Sequence, residues 1–174
     1  MAQFSQGRGG RRRRDSGPRE PKEFSQKTID LARVTRVVAG GKRMRFRATV
    51  VIGDQKGRVG LGIAKGADVS NAVQKAYTAA RKHMVRVPIV DETIPHQILI
   101  KYKAAHVLLK PAPKGSGVIA GGPIRAVMEL AGVKNIVSKI LGSSNKINNV
   151  YAVMEALGRL QTREMALQRR GKSS

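Results

Sequence analysis

Two small α+β modules in series are what this sequence predicts, and three observations carry the expectation. Apolar residues recur at period two over Met44–Ile52 and Arg58–Ala64, then at helical spacing from Val69 onward, so short strands feed a helix. The same change of period repeats after Thr93, beyond a connector at Val85–Glu92 that contains Pro88. The 174 residues are 41% hydrophobic, enough for a core. Each module is nevertheless only roughly 60–70 residues long, a size that buries about 60% of its unfolded surface and is marginal alone. The two are therefore expected to pack together.

Residues 1–27 read as a disordered basic tail. Gly7 to Arg14 runs GRGGRRRR, Pro18 and Pro21 follow, and almost nothing is apolar. The functional expectation is an arm that orders on RNA; the bland one is a solvated tail. Gly9, Gly10 and the intervening acids argue against a mitochondrial transit peptide.

The first module is placed at residues 28–92. Leu31–Val38 is rich in β-branched residues, and Ala39-Gly40-Gly41-Lys42 supplies turn chemistry, with φ > 0 expected at Gly40-Gly41. Met44, Phe46, Ala48, Val50 and Ile52 share one strand face, leaving Arg45, Arg47 and Thr49 on the other, a half-buried strand. Gly53–Gly57 turns into a third strand, whose second face of Gly60, Gly62 and Ala64 permits close approach by another backbone, protein or RNA. The helix that follows can be capped by Asp68 or Ser70, with Val69, Val73, Ala76, Ala80 and Met84 as its buried stripe.

The second module is placed at residues 93–161. Strands are expected at Ile94–Tyr102 and Ala105–Lys110, with a short one at Val118–Ala120. Gly121-Gly122-Pro123 opens a helix that buries Ile124, Val127, Met128 and Ala131 and stops at Gly132. Asn135–Leu141 reads as a strand, and a last helix carries Ile147, Val150, Tyr151, Met154 and Leu157. Residues 162–174 are a basic C-terminal tail or short frayed helix.

Composition narrows the function. Thirty-four Lys and Arg against eleven Asp and Glu leave a formal charge of +23, which calls for a polyanionic partner. The absence of Cys excludes disulfides, Cys-ligated zinc and thiol catalysis. His83, His96 and His106 lack metal-ligand spacing, so neither metal nor cofactor is expected. No apolar run reaches the roughly 18 residues of a membrane span. Aromatics at 3% argue against base-stacking platforms. Gly115-Ser116-Gly117 begins a loose G-x-G-x-x-A pattern, but it lacks the tight strand-to-helix setting of a dinucleotide site. Backbone N–H contacts to RNA phosphates fit the charge better.

The sharpest RNA signal is the first hairpin, where Arg36, Lys42, Arg43, Arg45 and Arg47 surround Gly40-Gly41. With Arg33, Lys56, Arg58 and Lys65 they make up the candidate RNA-binding set.

The run GGKRMRFRATVVIGDQKGRVGLGIAKGADV, Gly40 to Val69, resembles the first domain of the bacterial small-subunit ribosomal protein five family. The run from Val107 to Val150, including KPAPKGSGVIAGGPIRAVMELAGVKNIVSKILGSSNKINNV, resembles the second. The likeness covers Leu31 to Leu160, with Ser70, Lys146 and Asn149 departing from the family pattern. It implies a first module like a double-stranded-RNA-binding domain and a second whose β-α-β crossover is left-handed, against the usual rule. It implies a non-enzymatic constituent of the small ribosomal subunit, cytoplasmic, that binds ribosomal RNA near the messenger-RNA entry path. It further implies contacts with ribosomal proteins four and eight, a part in subunit assembly and translational accuracy, and no homo-oligomer. By the same resemblance the hairpin tip points to RNA of the neck, where spectinomycin acts, and Gly115, Gly117 and Arg125 face ribosomal protein four. The rivals are a small-molecule kinase using Gly115-Ser116-Gly117 as its nucleotide loop, and a free RNA chaperone. The kinase lacks acids near that loop before Glu129.

If phosphate neutralisation supplies the affinity, filter binding to a cognate RNA fragment will weaken steeply with salt, at about −0.7 to −0.9 in log K against log salt per phosphate contacted. A flat response would exclude the electrostatic reading.

Overall fold

Backbone pairing begins before the apolar pattern does. In the computed structural model, which describes residues 23–171, β1 spans Ser25–Val38 and pairs antiparallel with β2, Gly41–Gly53. The expected tail reached Lys27 and the expected strand began at Leu31. Instead Ser25–Thr28 are laddered to Val50–Gly53, and Phe24 is buried. Ladder hydrogen bonds come from the main chain, so polar residues can extend a strand laid on a buried neighbour. Residues 1–22 of the expected tail lie outside the described residues.

β2 was expected to be half-buried. Its root is buried on both faces: Ala48, Val50 and Ile52 on one, Thr49 and Val51 on the other. The second face meets the other module, as Val51 shares a core with Val107, Val127 and Leu157. β3, Arg58–Gly66, completes the hairpin series, and its glycine face receives α1, Val69–Lys82. A Cβ at Gly62 would lie 2.0 Å from the Ala76 carbonyl oxygen, and one at Gly60 2.4 Å from that of Ala80. The backbone that approaches is therefore protein. The helix answers with Ala72, Ala76 and Ala80, rotating the buried stripe away from the expected Val69, which is exposed. Asp68 is the N-cap residue, without a side-chain cap bond. Met84, also expected in the stripe, opens β4, Met84–Arg86, an edge strand on β3 where a connector was expected.

In the second module β5 (Ile98–Tyr102), β6 (Ala105–Pro111), β7 (Val118–Ile119) and β8 (Ile136–Ile140) lie in the order β5-β6-β8-β7. β7 and β8 are parallel and joined through α2, Gly122–Ala131. α2 and α3, Lys146–Arg159, supply the buried apolar residues that pack with this sheet. Asn145 caps α3 by accepting from the N–H groups of Ile147 and Asn148. Asn149, a departure from the family pattern, is buried and donates to the Ser143 carbonyl. Tyr151 lies at the margin of α3 and stacks on Tyr102, with ring centroids 5.3 Å apart. α4, Arg163–Arg169, is capped by Thr162 and buries nothing.

The modules pack together, as expected, and their joint is a helix terminus. The last carbonyls of a helix have no partner within it. In α2, the Met128 oxygen accepts from Gly132 and Val133, in the manner of a glycine C-cap with Gly132 at φ +89°. The Leu130 and Ala131 oxygens accept from Gln55 (3.0 Å) and Gly57 (2.9 Å), both in the β2–β3 turn of the other module. Leaving such a carbonyl buried and unmatched costs about 1–3 kcal/mol.

Gly132 is held on two counts: a positive φ, and a Cβ position only 2.2 Å from the Gln55 oxygen. Gly115 shares the first (φ +91°) but has open space around it. Gly132→Ala is expected to lose about 2–4 kcal/mol in urea unfolding, against about 1 kcal/mol for Gly115→Ala. Equal losses would show that the inter-module contact is not what Gly132 protects.

Candidate nucleic-acid interface

Register decides which cations meet. Along the hairpin Arg36 faces Arg43 and Val34 faces Arg45. Alternation puts Arg43 and Arg45 on one face of β2, and pairing to β3 brings Lys65 opposite Arg47. Arg36, Arg43, Arg45 and Lys65, with Val34 and Thr35, line a groove of about 260 Å³. Among the described residues none of these four cations has an acidic partner. Like charges directly opposite on paired strands repel, by roughly 0.2–1 kcal/mol. Lys42 and Arg33 lie on the other face, beside Val37 and Met44.

The turn differs in detail from the expectation. Ala39 and Gly40 occupy it, and only Gly41, the first residue of β2, has positive φ, at +139°. Gly41 is thus the glycine the turn requires, while Gly40 adopts an ordinary conformation.

Three members of the candidate set stand apart. The Arg47 side chain is one-third exposed, and its Nη2 lies 3.4 Å from Asp30, whose carboxylate is also 3.6 Å from Lys146 of α3. Arg47 therefore helps join strand to helix across the modules, a role that its place in a cationic run does not reveal. Lys56 and Arg58 sit past the far end of β2, about 40 Å along the strand from the tip. Arg58 donates from Nε to Asp54 at 2.6 Å, and its guanidinium lies 5.6 Å from the centre of the Phe24 ring. Asp54 also accepts the N–H groups of Lys56 and Arg58, pinning the turn that caps α2. Burial pushes the Asp54 carboxyl up, but the Arg58 side chain and the two backbone donors outweigh it and hold the carboxyl below its ordinary value.

The Gly115-Ser116-Gly117 loop was expected to offer N–H groups to phosphates. They are already committed: Gly115 and Gly117 donate to Oδ1 of buried Asn135, and Ser116 to the Pro113 carbonyl. The loop wraps an asparagine instead of an anion, and a nucleotide would find no free donor among these three amides. Gly115 and Gly117 both have positive φ, and Arg125 projects from the exposed face of α2. Sequence reading passed over Asn135 because it stands at the head of an apolar run; Asp30 gave a signal, as a lone acid among the cations of the hairpin.

Comparison with known proteins adds two findings. Residues 24–88 match the family described as ribosomal protein S5, N-terminal domain, and residues 100–170 match ribosomal protein S5, C-terminal domain. A relative from Protochlamydia amoebophila (strain UWE25), named small ribosomal subunit protein uS5, is 46% identical over 149 residues. The alignment covers 86% of this chain and 89% of that protein.

The depressed Asp54 carboxyl links stability to pH. Its folded pKa lies below the unfolded value near 3.8, so its contribution is complete above that value and is lost as pH falls through the folded one. The stability difference between the native chain and Asp54→Asn, read by urea melts, is expected to be constant near neutrality and to close below about pH 4. A gap that persisted in acid would mean that the turn does not need the charge.

Proposed function

The chain belongs to the ribosomal protein S5 family, and on that premise we propose that its β1–β2 hairpin grips small-subunit ribosomal RNA by the phosphates. As a family member it is a structural constituent of the small subunit in cytoplasmic ribosomes and binds ribosomal RNA. One observation carries the finer reading: the cluster of Arg36, Arg43, Arg45 and Lys65 at the distal end of the hairpin, unpaired among the described residues. Mutual repulsion makes the cluster costly alone, and a phosphate backbone relieves it. Guanidinium groups can hold phosphate oxygens two at a time, while Gly40-Gly41 and Lys42 shape the tip and Arg33 covers its other face. The strand root, packed in the core, fixes register; no bond is made or broken.

In the same proposal the tip approaches RNA of the neck, near the path of messenger RNA. The segment Gly115–Arg125 turns toward ribosomal protein four, and ribosomal protein eight is the second neighbour. Assembly and translational accuracy follow from those contacts. Arg47 and Arg58 are assigned to holding the fold, with Lys56 left as a phosphate contact away from the tip. A free RNA chaperone would share the affinity but would not co-sediment stoichiometrically with small subunits.

Arg43→Glu tests the grip without harming the fold, because the new carboxylate faces Arg36 and can pair with it. The isolated chain is expected to melt no lower than the native one. Its RNA affinity is expected to drop by about tenfold or more, with a salt slope shallower by about one to two. In assembled subunits the neck RNA loses chemical protection and spectinomycin sensitivity changes. Unchanged protection with unchanged sensitivity would mean that the tip is merely solvated.

A further inference from the structure

Three buried polar atoms gather at the joint between the modules with no partner of their own. Arg47 and Thr49 stand two residues apart on one face of β2, the face whose Val51 enters the core of the second module. Thr49 is paired across the ladder with Asp30. The Asp30 carboxylate is 3.4 Å from Arg47 Nη2 and 3.6 Å from Lys146 Nζ, so the start of α3 is drawn to the same place. Asn149 follows Lys146 by three residues and shares its side of the helix. Thr49 and Asn149 are wholly buried. Arg47 Nε, Thr49 Oγ1 and Asn149 Oδ1 are all shut off from solvent, and none has a hydrogen-bond partner among the described residues.

From this cluster we infer a buried water-binding site between β2 and α3, where one water molecule bridges the two modules. The chemistry of the three atoms selects the ligand. A guanidinium Nε only donates, an asparagine side-chain oxygen only accepts, and a threonine hydroxyl does either. The Asn149 amide nitrogen is already committed to the Ser143 carbonyl, which leaves its oxygen as the free acceptor. A cation would be repelled by Arg47 and Lys146. An anion would be repelled by the Asn149 oxygen and the Asp30 carboxylate. Water both donates and accepts. It takes the Nε–H of Arg47, gives one hydrogen to Asn149 Oδ1, and shares a third bond with Thr49 Oγ1. About three hydrogen bonds are the usual complement of a buried water.

Energetics point the same way. A buried polar group left unmatched costs more than a typical hydrogen bond returns, and here three such groups share one joint. One bridging water satisfies all of them for a small loss of entropy. The fourth unpartnered atom, Ser138 Oγ, stands between Ile136 and Ile140 on its face of β8 and has no second unpartnered atom on that strand. Lys146 and Asn149 are also where α3 departs from the family pattern, and the departure is what brings the helix's polar atoms to this joint. The site goes beyond the RNA-binding reading: it belongs to the free chain, at the root of the hairpin, and ties that root to α3.

The test begins with a high-resolution crystal structure of the full chain. One ordered water is expected within about 2.7–3.2 Å of Arg47 Nε, Thr49 Oγ1 and Asn149 Oδ1. A joint that is dry, that holds an ion, or in which these atoms bond directly to one another would overturn the inference. Thr49→Val supplies a second arm, and its sign decides. The substitution keeps the branched shape and removes only the hydroxyl. With the water in place it takes away one of three partners, and the ratio of folded to unfolded chain from urea melts is expected to fall about fivefold. Without the water it removes an unmatched hydroxyl, so a ratio that stayed level or rose would overturn the inference. Either failure leaves the family reading untouched.

Discussion

Two hydrogen bonds at the end of one helix hold this molecule in its shape. The Leu130 and Ala131 carbonyls lie at the end of α2, and the Gln55 and Gly57 amides of the β2–β3 turn reach across to donate to them. The turn can do so only because Asp54 fixes it from within, and Gly53 and Gly132 leave no Cβ in the way. With the turn seated, Val51, Val59 and Leu61 fall into the core of the second module. Neither module is large enough to be comfortably stable alone, and each finishes the other's unsatisfied surface.

That joint also sorts the cations. Where acids are available, at Asp30 and Asp54, the nearby Arg47 and Arg58 are drawn into holding strands and turns. At the distal hairpin no acid among the described residues is in reach, and the charge is left without a counterpart there. A chain of such positive charge would be expected to spread its repulsion over the surface. Concentrating it at the end of a two-stranded ribbon keeps it clear of the core.

The types of most elements were legible in the sequence because they rest on periodicity: the alternation of β2, the stripe of α3, the proline and glycine that bracket α2. What escaped was whatever depends on a partner distant in sequence. Ser25–Thr28 has no strand pattern of its own and is a strand because β2 lies beside it. Val69 looked like core and Ala72 did not, because the glycine face of β3 selects small residues and no helical periodicity records that. The cationic character of the hairpin was plain, and the tip set was chosen as neighbours in sequence. That Arg36 confronts Arg43, or that Arg47 belongs to Asp30, follows from register and from α3. The glycine loop shows the reverse error: its composition suggests an anion cradle, and one buried asparagine turns its amides inward.

Asp30 stands at a β-bulge, where the hairpin leaves the body of the protein, and it touches both Arg47 of the ribbon and Lys146 of α3. Mechanically this is a fulcrum. The free length of β1 from Asp30 to Val38 is about 26 Å, so a tilt of only about 5° at the bulge swings the tip through about 2 Å. That is more than the tolerance of a hydrogen bond. A displacement of α3 too slight to disturb its own packing is thus enlarged at the hairpin tip. The long arm thus turns a small shift at its base into a large one at its far end.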